Sequence, residues 1–485
     1  MTDLGVRGAE HSSAVLAAPI APGGAAAITR MGFWPRVAAV LVLTVVSYFF
    51  VFAADFSRTV AGSHTAYLLV VPVLAVVIAA GYQIAPRGVR DTESDWIIAA
   101  LVGVFGLTAI HMTFNRVPTF AGLLHLESIG MVIWSFCCAV MMFGARHVGR
   151  MWVLWLFALC SETPVPYLFI VAKLGGSDTA AALLAAVMGA VAVFLSGRTM
   201  RWRLLAAASC LTAAVTTVIV LDGYASLLST VLIAAGVVPV LATTAKYRLS
   251  PIPEAAYSGR PTLPRRSPLT LAVLVVAAVG LLVLHPPAAA SPAPPLVGKA
   301  DWVERAGLGS ATSFPFITRW LGAGATLTRF DVPAVDGAPQ AVVDIITSPN
   351  YGALQDFSDM VWYPSDRPAN YERPAAGSAL PATARTVHSN ADAATTDSSQ
   401  DWYALSWIWR TPAGYQQVTV VVNQSATSPT RPPAPQPPSL ADTIIKPALW
   451  AARVQPETVG DVDAPVVERA DEVVRRVLAA AGATG

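Results

Sequence analysis

Charged residues are scarce in this chain. They make up 13% of its 485 residues, whereas 54% are hydrophobic. A soluble domain carries about 25% charged residues, so the composition excludes a soluble globular protein of this size. The few charges are divided by region and build no basic surface, which argues against nucleic acid as a partner. The composition predicts a polytopic membrane protein whose first partner is the lipid bilayer.

Cysteine is nearly absent as well. The four cysteines, Cys137, Cys138, Cys160 and Cys210, all lie in apolar segments. None lies in the polar carboxy-terminal third, so no disulfide framework supports that part. The sequence gives no reason to predict a cofactor or a metal ion.

Nine apolar runs are long enough to suggest membrane helices, because about 20 apolar residues cross a bilayer core of about 30 Å. They are Trp34–Ala53, Ala66–Ile84, Trp96–Phe114, Thr119–Ala145, Met151–Lys173, Thr179–Gly197, Trp202–Leu221, Ala225–Ala245 and Leu269–His285. The first run is too long for the core of a signal peptide, so we interpret it as a retained helix.

Basic residues in the short loops predict the orientation of these helices, because cytoplasmic loops are enriched in Lys and Arg. One side receives Arg7, Arg30, Arg36, Arg87, Arg90, Arg146, Arg150, Arg198, Arg201, Arg203, Lys246, Arg248, Arg260, Arg265 and Arg266. The other side receives Arg58, Arg116 and Lys173. The prediction is a multi-pass protein of the cell membrane with a cytoplasmic amino terminus and an extracytoplasmic carboxy-terminal domain.

Composition divides the chain into five parts. Residues 1–32 predict a disordered cytoplasmic tail, 33–285 a transmembrane helical domain, 286–296 a Pro/Ala linker, 297–425 an extracytoplasmic α+β domain, and 426–485 a Pro-rich linker with a terminal amphipathic helix. Alternating stretches predict strands at Ala325–Val332, Gln340–Thr347, Trp402–Arg410 and Gln416–Val422, with an exposed loop at Ala375–Gln400. The predicted fold class is an all-α polytopic membrane protein of about nine transmembrane helices with a small extracytoplasmic α+β domain.

Several ionisable side chains lie inside the apolar runs, where they are costly and therefore candidates for function. A rise of about 1.5 Å per residue places them in one band toward the outer side of the membrane. The candidates are His111, His125, Glu127 and Glu162, with Cys160 near the midplane and Arg116 in the adjoining outer loop. Pro164 and Pro166 lack the N–H that would bond the carbonyls of Cys160 and Glu162, so the helix is predicted to bend there.

Each of these features also has an ordinary structural interpretation. A lone cysteine in a membrane helix is most often an inert small hydrophobic residue. His125 with Glu127 is equally well interpreted as a structural hydrogen-bonded pair, and paired prolines commonly serve only as a packing kink.

Three segments resemble the exosortase/archaeosortase family, membrane cysteine transpeptidases that process proteins carrying a carboxy-terminal sorting signal. They are GSHTAYLLVVPVLAVVI (Gly62–Ile78), the helix, basic turn and helix of Gly122–Tyr167, and, more distantly, DMVWYPSDRP (Asp359–Pro368) in the outer domain. The family's catalytic set is a Cys in a Cys-Ser-Gly context, then an Arg, then a His. Here Glu162 follows Cys160–Ser161, and Cys210 lies too deep on the cytoplasmic side.

The resemblance implies an enzyme in which Cys160 attacks a peptide carbonyl. In that hypothesis His125 or His111 shuttles the proton, Arg116 stabilises the oxyanion, and Glu127 and Glu162 complete the site. The implied partner is an exported protein substrate or an envelope polymer. Two other hypotheses remain open: a non-catalytic assembly or anchoring component, and a transporter that uses the polar band as its path. The sequence does not predict an oligomeric state.

Overall fold

A computed structural model describes most of the chain. The described residues are 32–84, 86, 92–197, 199–249, 263, 266–284, 299–365, 369–374, 380–381, 384–389, 401–424, 430–452 and 462–482. The Pro/Ala linker and nearly all of the predicted amino-terminal tail lie outside these ranges.

The first half of the chain is helical. Its helices are α1 (Phe33–Ser47), α2 (Phe49–Val60), α3 (His64–Tyr82), α4 (Thr92–Arg116), α5 (Pro118–Leu123), α6 (Leu126–Phe143), α7 (Ala145–Arg150), α8 (Trp152–Ser161), α9 (Pro164–Lys173), α10 (Asp178–Leu195), α11 (Met200–Leu221), α12 (Leu227–Leu249) and α13 (Pro268–Leu284).

Six of these helices, α3, α4, α6, α10, α11 and α12, are long and apolar enough to cross a membrane, and the count is eight if each of two bent pairs is one span. These lengths and compositions indicate a membrane protein. Helix α13 is apolar but shorter, so among the described residues the nine crossings suggested by the sequence are not established.

The two bent pairs differ in cause. Helices α8 and α9 meet at 64°, and Pro164 begins α9. This confirms the bend predicted from the prolines. The carbonyl of Cys160, which Pro164 cannot serve, accepts a hydrogen bond of 3.2 Å from the Thr163 hydroxyl instead. Helices α1 and α2 meet at 78° at Tyr48, where no proline marks the bend.

The second half contains a six-stranded sheet. Its strands are β1 (Ala311–Ser313), β2 (Thr326–Asp331), β3 (Ala341–Ser348), β4 (Arg385–His388), β5 (Trp402–Thr411) and β6 (Gly414–Asn423), in the order β1-β2-β3-β6-β5-β4 with every neighbouring pair antiparallel. The four predicted strands are confirmed. Strand β4 falls within the stretch predicted as an exposed loop, most of which lies outside the described residues.

Five helices accompany the sheet: α14 (Trp302–Arg305), α15 (Thr318–Leu321), α16 (Tyr351–Asp356), α17 (Lys446–Ala451) and α18 (Ala464–Ala481). Helix α18 packs on one face of the sheet, with Val466, Val473 and Val477 fully buried among the β5 and β6 side chains. The proline-rich segment before α17 is also fixed, because Arg329 donates to the carbonyls of Pro432 and Pro433 at 3.1 and 2.8 Å. The folded unit therefore continues past residue 425, the boundary that composition suggested.

The packing of α18 gives a testable prediction. Replacing Val473 with Ala removes two buried methyl groups from the centre of the contact and is expected to cost about 2 kcal/mol. In the intact chain, hydrogen exchange at the β5 and β6 amides should rise about 30-fold as a result. The exposed Glu468→Ala on the same helix serves as the control. Unchanged exchange in Val473→Ala would show that α18 does not stabilise the sheet.

Candidate functional site: the contact between the helices and the sheet domain

Helix α16 packs against the junction of α2 and α3 and so joins the sheet domain to the helical part of the chain; we call this contact the seat of the domain. The Gly352 N–H donates to the carbonyl of Ala61 at 2.8 Å. A Cβ at position 352 would lie 2.4 Å from the backbone nitrogen of Ser63 and 2.7 Å from the carbonyl oxygen of Arg58. Backbone atoms on both sides leave no room for a side chain, so glycine is what permits this approach.

Asp356, at the end of α16, makes the polar part of this contact. Its carboxylate accepts hydrogen bonds from the Ser63 hydroxyl and, at 2.7 Å, from the His64 backbone N–H. Burial raises the pKa of Asp356 from its usual 3.8 to about 6, and the nearby His64, the Ser63 hydrogen bond and Arg58 only partly oppose that rise. The carboxylate thus satisfies the first amide of α3, which no preceding turn can serve, and the Ser63 hydroxyl accepts from the next one, that of Thr65.

His64 links a third element to this contact. Its side chain is 2% exposed, and its Nε2 lies 3.2 Å from the Asp178 carboxylate at the start of α10. Its other ring nitrogen, Nδ1, is buried and has no hydrogen-bond partner within the described part of the chain. Helices α3, α10 and α16 therefore meet at one histidine.

Acidic side chains gather beside the contact. Asp55 on α2 forms an ion pair with Arg58 at 3.5 Å and lies within electrostatic range of Glu127 and Asp356. Glu162, at the break between α8 and α9, is 3% exposed and interacts with Asp55. Two of the predicted residues, Glu127 and Glu162, are thus brought into one region with Asp55.

His125 lies next to this acidic group. It lies between α5 and α6 and has a left-handed backbone conformation with φ of 51°. Among the described residues it is the only one other than glycine with a positive φ. Its ring interacts electrostatically with Arg58. Such a conformation costs about 1–3 kcal/mol and persists only where the surroundings hold it.

Three predicted residues lie apart from the contact. Cys160 is exposed on the surface of α8. His111 is exposed on α4, where its ring pairs with Asn115 at 3.2 Å, and Arg116 is exposed at the end of the same helix. The structure therefore brings His125, Glu127 and Glu162 toward Asp55, although Glu127 itself is exposed on α6, and leaves Cys160, His111 and Arg116 apart on helix surfaces. Their catalytic roles stay a prediction.

Two stacked tyrosines lie beneath the contact. The rings of Tyr67 and Tyr167 are 3.9 Å apart. Their hydroxyls donate to the carbonyls of Ser161, at 2.9 Å, and Ala181, at 2.6 Å. The pair therefore holds the break between α8 and α9 against α3 and α10, which fixes the floor of the site.

The sheet domain also touches the helices at other points. Trp320 packs edge-on against Phe169 of α9, with ring centroids 4.9 Å apart. The Tyr371 N–H donates to the Thr119 hydroxyl of α5 at 2.8 Å. Together with α16, these contacts attach the domain to the junction of α2 and α3, to α5 and to α9, so the two parts pack against each other at three places.

Sequence reasoning missed four residues of this site: Asp55, Arg58, Asp178 and Asp356. Asp55 lies two residues beyond the end of the first apolar run, Trp34–Ala53, so a search for ionisable residues inside the runs did not include it. Asp356 offered no such pattern, since it lies in a soluble stretch 292 residues after its partner His64.

No group of three or more His, Cys, Asp or Glu residues in the described ranges is arranged to hold a metal ion. Comparisons with known protein families, with curated proteins and with solved structures found no match.

Proposed function

We propose that this chain is a non-catalytic assembly or anchoring component of the cell envelope, which holds its sheet domain in a fixed position outside the cell membrane. The observation that carries the proposal is the seat of α16 on the helices. Gly352 and Asp356 attach the domain through hydrogen bonds to Ala61, Ser63 and His64. A domain held this way presents its surface at constant height and orientation.

The proposed orientation of the chain in the membrane rests on the distribution of charge. Among the described residues, Arg146, Arg150, Lys246 and Arg266 lie at the end of the helices away from the sheet domain, which favours that end for the cytoplasm. Asp95 and Arg266 at that end form an ion pair at 2.5 Å. The sheet domain is then extracytoplasmic, where an exported protein or an envelope polymer is available as a partner.

A cleft beside the domain contact offers a binding place for that partner. Its volume is about 260 Å³, and it lies between α5 and the sheet domain. Trp362, Tyr363 and Pro438 supply apolar surface, while Asp359 and Asp442 supply hydrogen-bond acceptors. Aromatic surface with a few polar groups is typical of sites that bind a small segment of a larger molecule.

A second candidate is a membrane cysteine transpeptidase or peptidase of the exosortase kind. It is favoured by the sequence resemblance and by the strained His125 beside Glu127 and Glu162. It is weakened by Cys160, which lies on the helix surface, because a nucleophilic thiol needs a base or a cation to become a thiolate.

Complementation separates the two candidates. A strain that lacks the chain is supplied with wild type, Cys160→Ser or Gly352→Ala, and the release of exported proteins and polymer into the medium is measured. We expect Cys160→Ser to restore the wild-type phenotype and Gly352→Ala to fail, because only the second disturbs the seat of the domain. Loss of function in Cys160→Ser, at normal protein level, would contradict the anchoring proposal and support the peptidase.

A further inference from the structure

A narrow groove runs along the helices from Glu162 toward Met151. Helices α1, α2, α3, α6 and α8 form its walls, and its volume is about 120 Å³. Most of the lining side chains are apolar, among them Val40, Ala75, Val132 and Ala158. Glu162 is its one ionisable lining residue among those described. The groove therefore combines a hydrocarbon-like wall with a single carboxyl group.

The Glu162 carboxyl group has no hydrogen-bond partner that the described residues supply. Only 3% of the residue is exposed. A carboxylate removed from water without a partner costs several kcal/mol. A ligand that donates a hydrogen bond to Glu162 would recover this cost, so the side chain points to an occupant with a donor group.

The dimensions decide what kind of occupant fits. Along α8 the lining reaches from Met151 to Glu162, a length of about 16 Å at a rise of about 1.5 Å per residue. A transmembrane helix with side chains is about 10–12 Å across and would need far more than the volume observed. A single extended hydrocarbon chain matches the length, and because the groove is open along one side, the chain would lie partly in it and partly against the bilayer.

Charge decides the head group. Asp55 lies within electrostatic range of Glu162 and also of Glu127. Arg58 is in an ion pair with Asp55. An excess of carboxylates at the end of the groove attracts a positive group and repels a fatty acid or a phosphate.

We propose that this groove binds a single-chain amphiphile from the bilayer whose amino group donates to Glu162 while its hydrocarbon chain lies against α1, α3 and α8. The inference is independent of the proposed function, since it involves neither the sheet domain nor Cys160.

Equilibrium binding of radiolabelled dodecylamine to the full-length protein in nanodiscs tests the proposal, with protein-free nanodiscs subtracted. We expect saturable binding of one molecule per chain. Glu162→Gln, which keeps the shape and removes the charge, should weaken it at least tenfold. Ala75→Phe, which fills the groove, should abolish it, whereas the matched Ala53→Phe on an exposed position should leave it unchanged.

Other occupants give other results, and each would overturn the proposal. Equal binding of dodecanoic acid or decane would show a groove that accepts any hydrocarbon chain. Binding that is unaffected by Glu162→Gln would remove the carboxyl group from the site. A covalent dimer formed through Ala75→Cys in a Cys160→Ala background would show that a second copy of the chain occupies the groove.

Discussion

Replacing Gly352 with alanine is expected to weaken the attachment of the sheet domain to the helical part of the chain by about 3 kcal/mol. The new Cβ would lie 2.4 to 2.8 Å from backbone atoms of Arg58, Gly62 and Ser63, and backbone cannot move aside as a flexible side chain can. Overpacking of this kind costs about 1–3 kcal/mol. Displacement of α16 also withdraws the Asp356 carboxylate from its donors, and each hydrogen bond left unmade adds about 1–3 kcal/mol.

Hydrogen exchange in the intact protein measures this effect directly. The amides of Gly352 and His64 donate across the contact, so both are protected only while the domain is seated. We expect their exchange to rise about 100-fold in Gly352→Ala. Gly149→Ala is the matched control, because a Cβ there meets nothing within 4 Å. Wild-type protection at both amides in Gly352→Ala would mean that α16 does not seat the domain.

Much of the secondary structure follows from local pattern. The alternation in Gln416–Val422 predicts β6, and Pro164 predicts the break before α9, because both features depend on neighbouring residues alone. The bend at Tyr48 depends instead on tertiary packing, since α1 packs against α6 whereas α2 packs against the start of α3, and no residue in the run marks it. The same holds for α18, whose place on the sheet depends on valines from strands distant in the sequence.

The candidate site was predicted only in part for the same reason. The estimate of depth placed His111, His125, Glu127 and Glu162 in one band, but depth does not specify on which side of a helix a residue lies. Cys160 precedes Glu162 by two positions, so on a helix the two point about 200° apart. One is exposed and the other buried. The depth estimate thus gave the position of each residue along its helix but not the direction in which its side chain points.

The contact at Asp356 also makes the attachment of the domain sensitive to pH. Whether the attachment weakens or strengthens as pH rises follows from which state binds more protons. In the seated state the pKa of Asp356 is raised by burial to about 6, whereas a separated domain would expose the carboxyl group at its usual pKa of 3.8. Between these values the seated state binds more protons than the separated one. Seating is therefore strongest below pH 4 and weakens as pH rises to about 6.

The size of this effect is bounded by the pKa difference. About two pKa units correspond to at most about 3 kcal/mol, and the partial exposure of the side chain reduces that figure. The groups that face Asp356 from the packed elements are Ser63 and His64 of the α3 start, Arg58 of α2 and, farther off, Asp55. Asp356→Asn keeps all of them and removes the titrating group, so the difference between wild type and this variant isolates Asp356.

The free energy of separating the domain from the helices is obtained from hydrogen exchange at the His64 and Gly352 amides, corrected for the intrinsic pH dependence of exchange. In wild type we expect this free energy to fall between pH 4 and pH 6. In Asp356→Asn the fall should be absent, and at pH 7 the variant should be seated at least as firmly as wild type, because a neutral amide is not penalised by burial as a carboxylate is. A free energy of separation that rises with pH in wild type would reverse the sign. It would mean that the hydrogen bonds from Ser63 and His64 outweigh the loss of solvation of the Asp356 carboxylate.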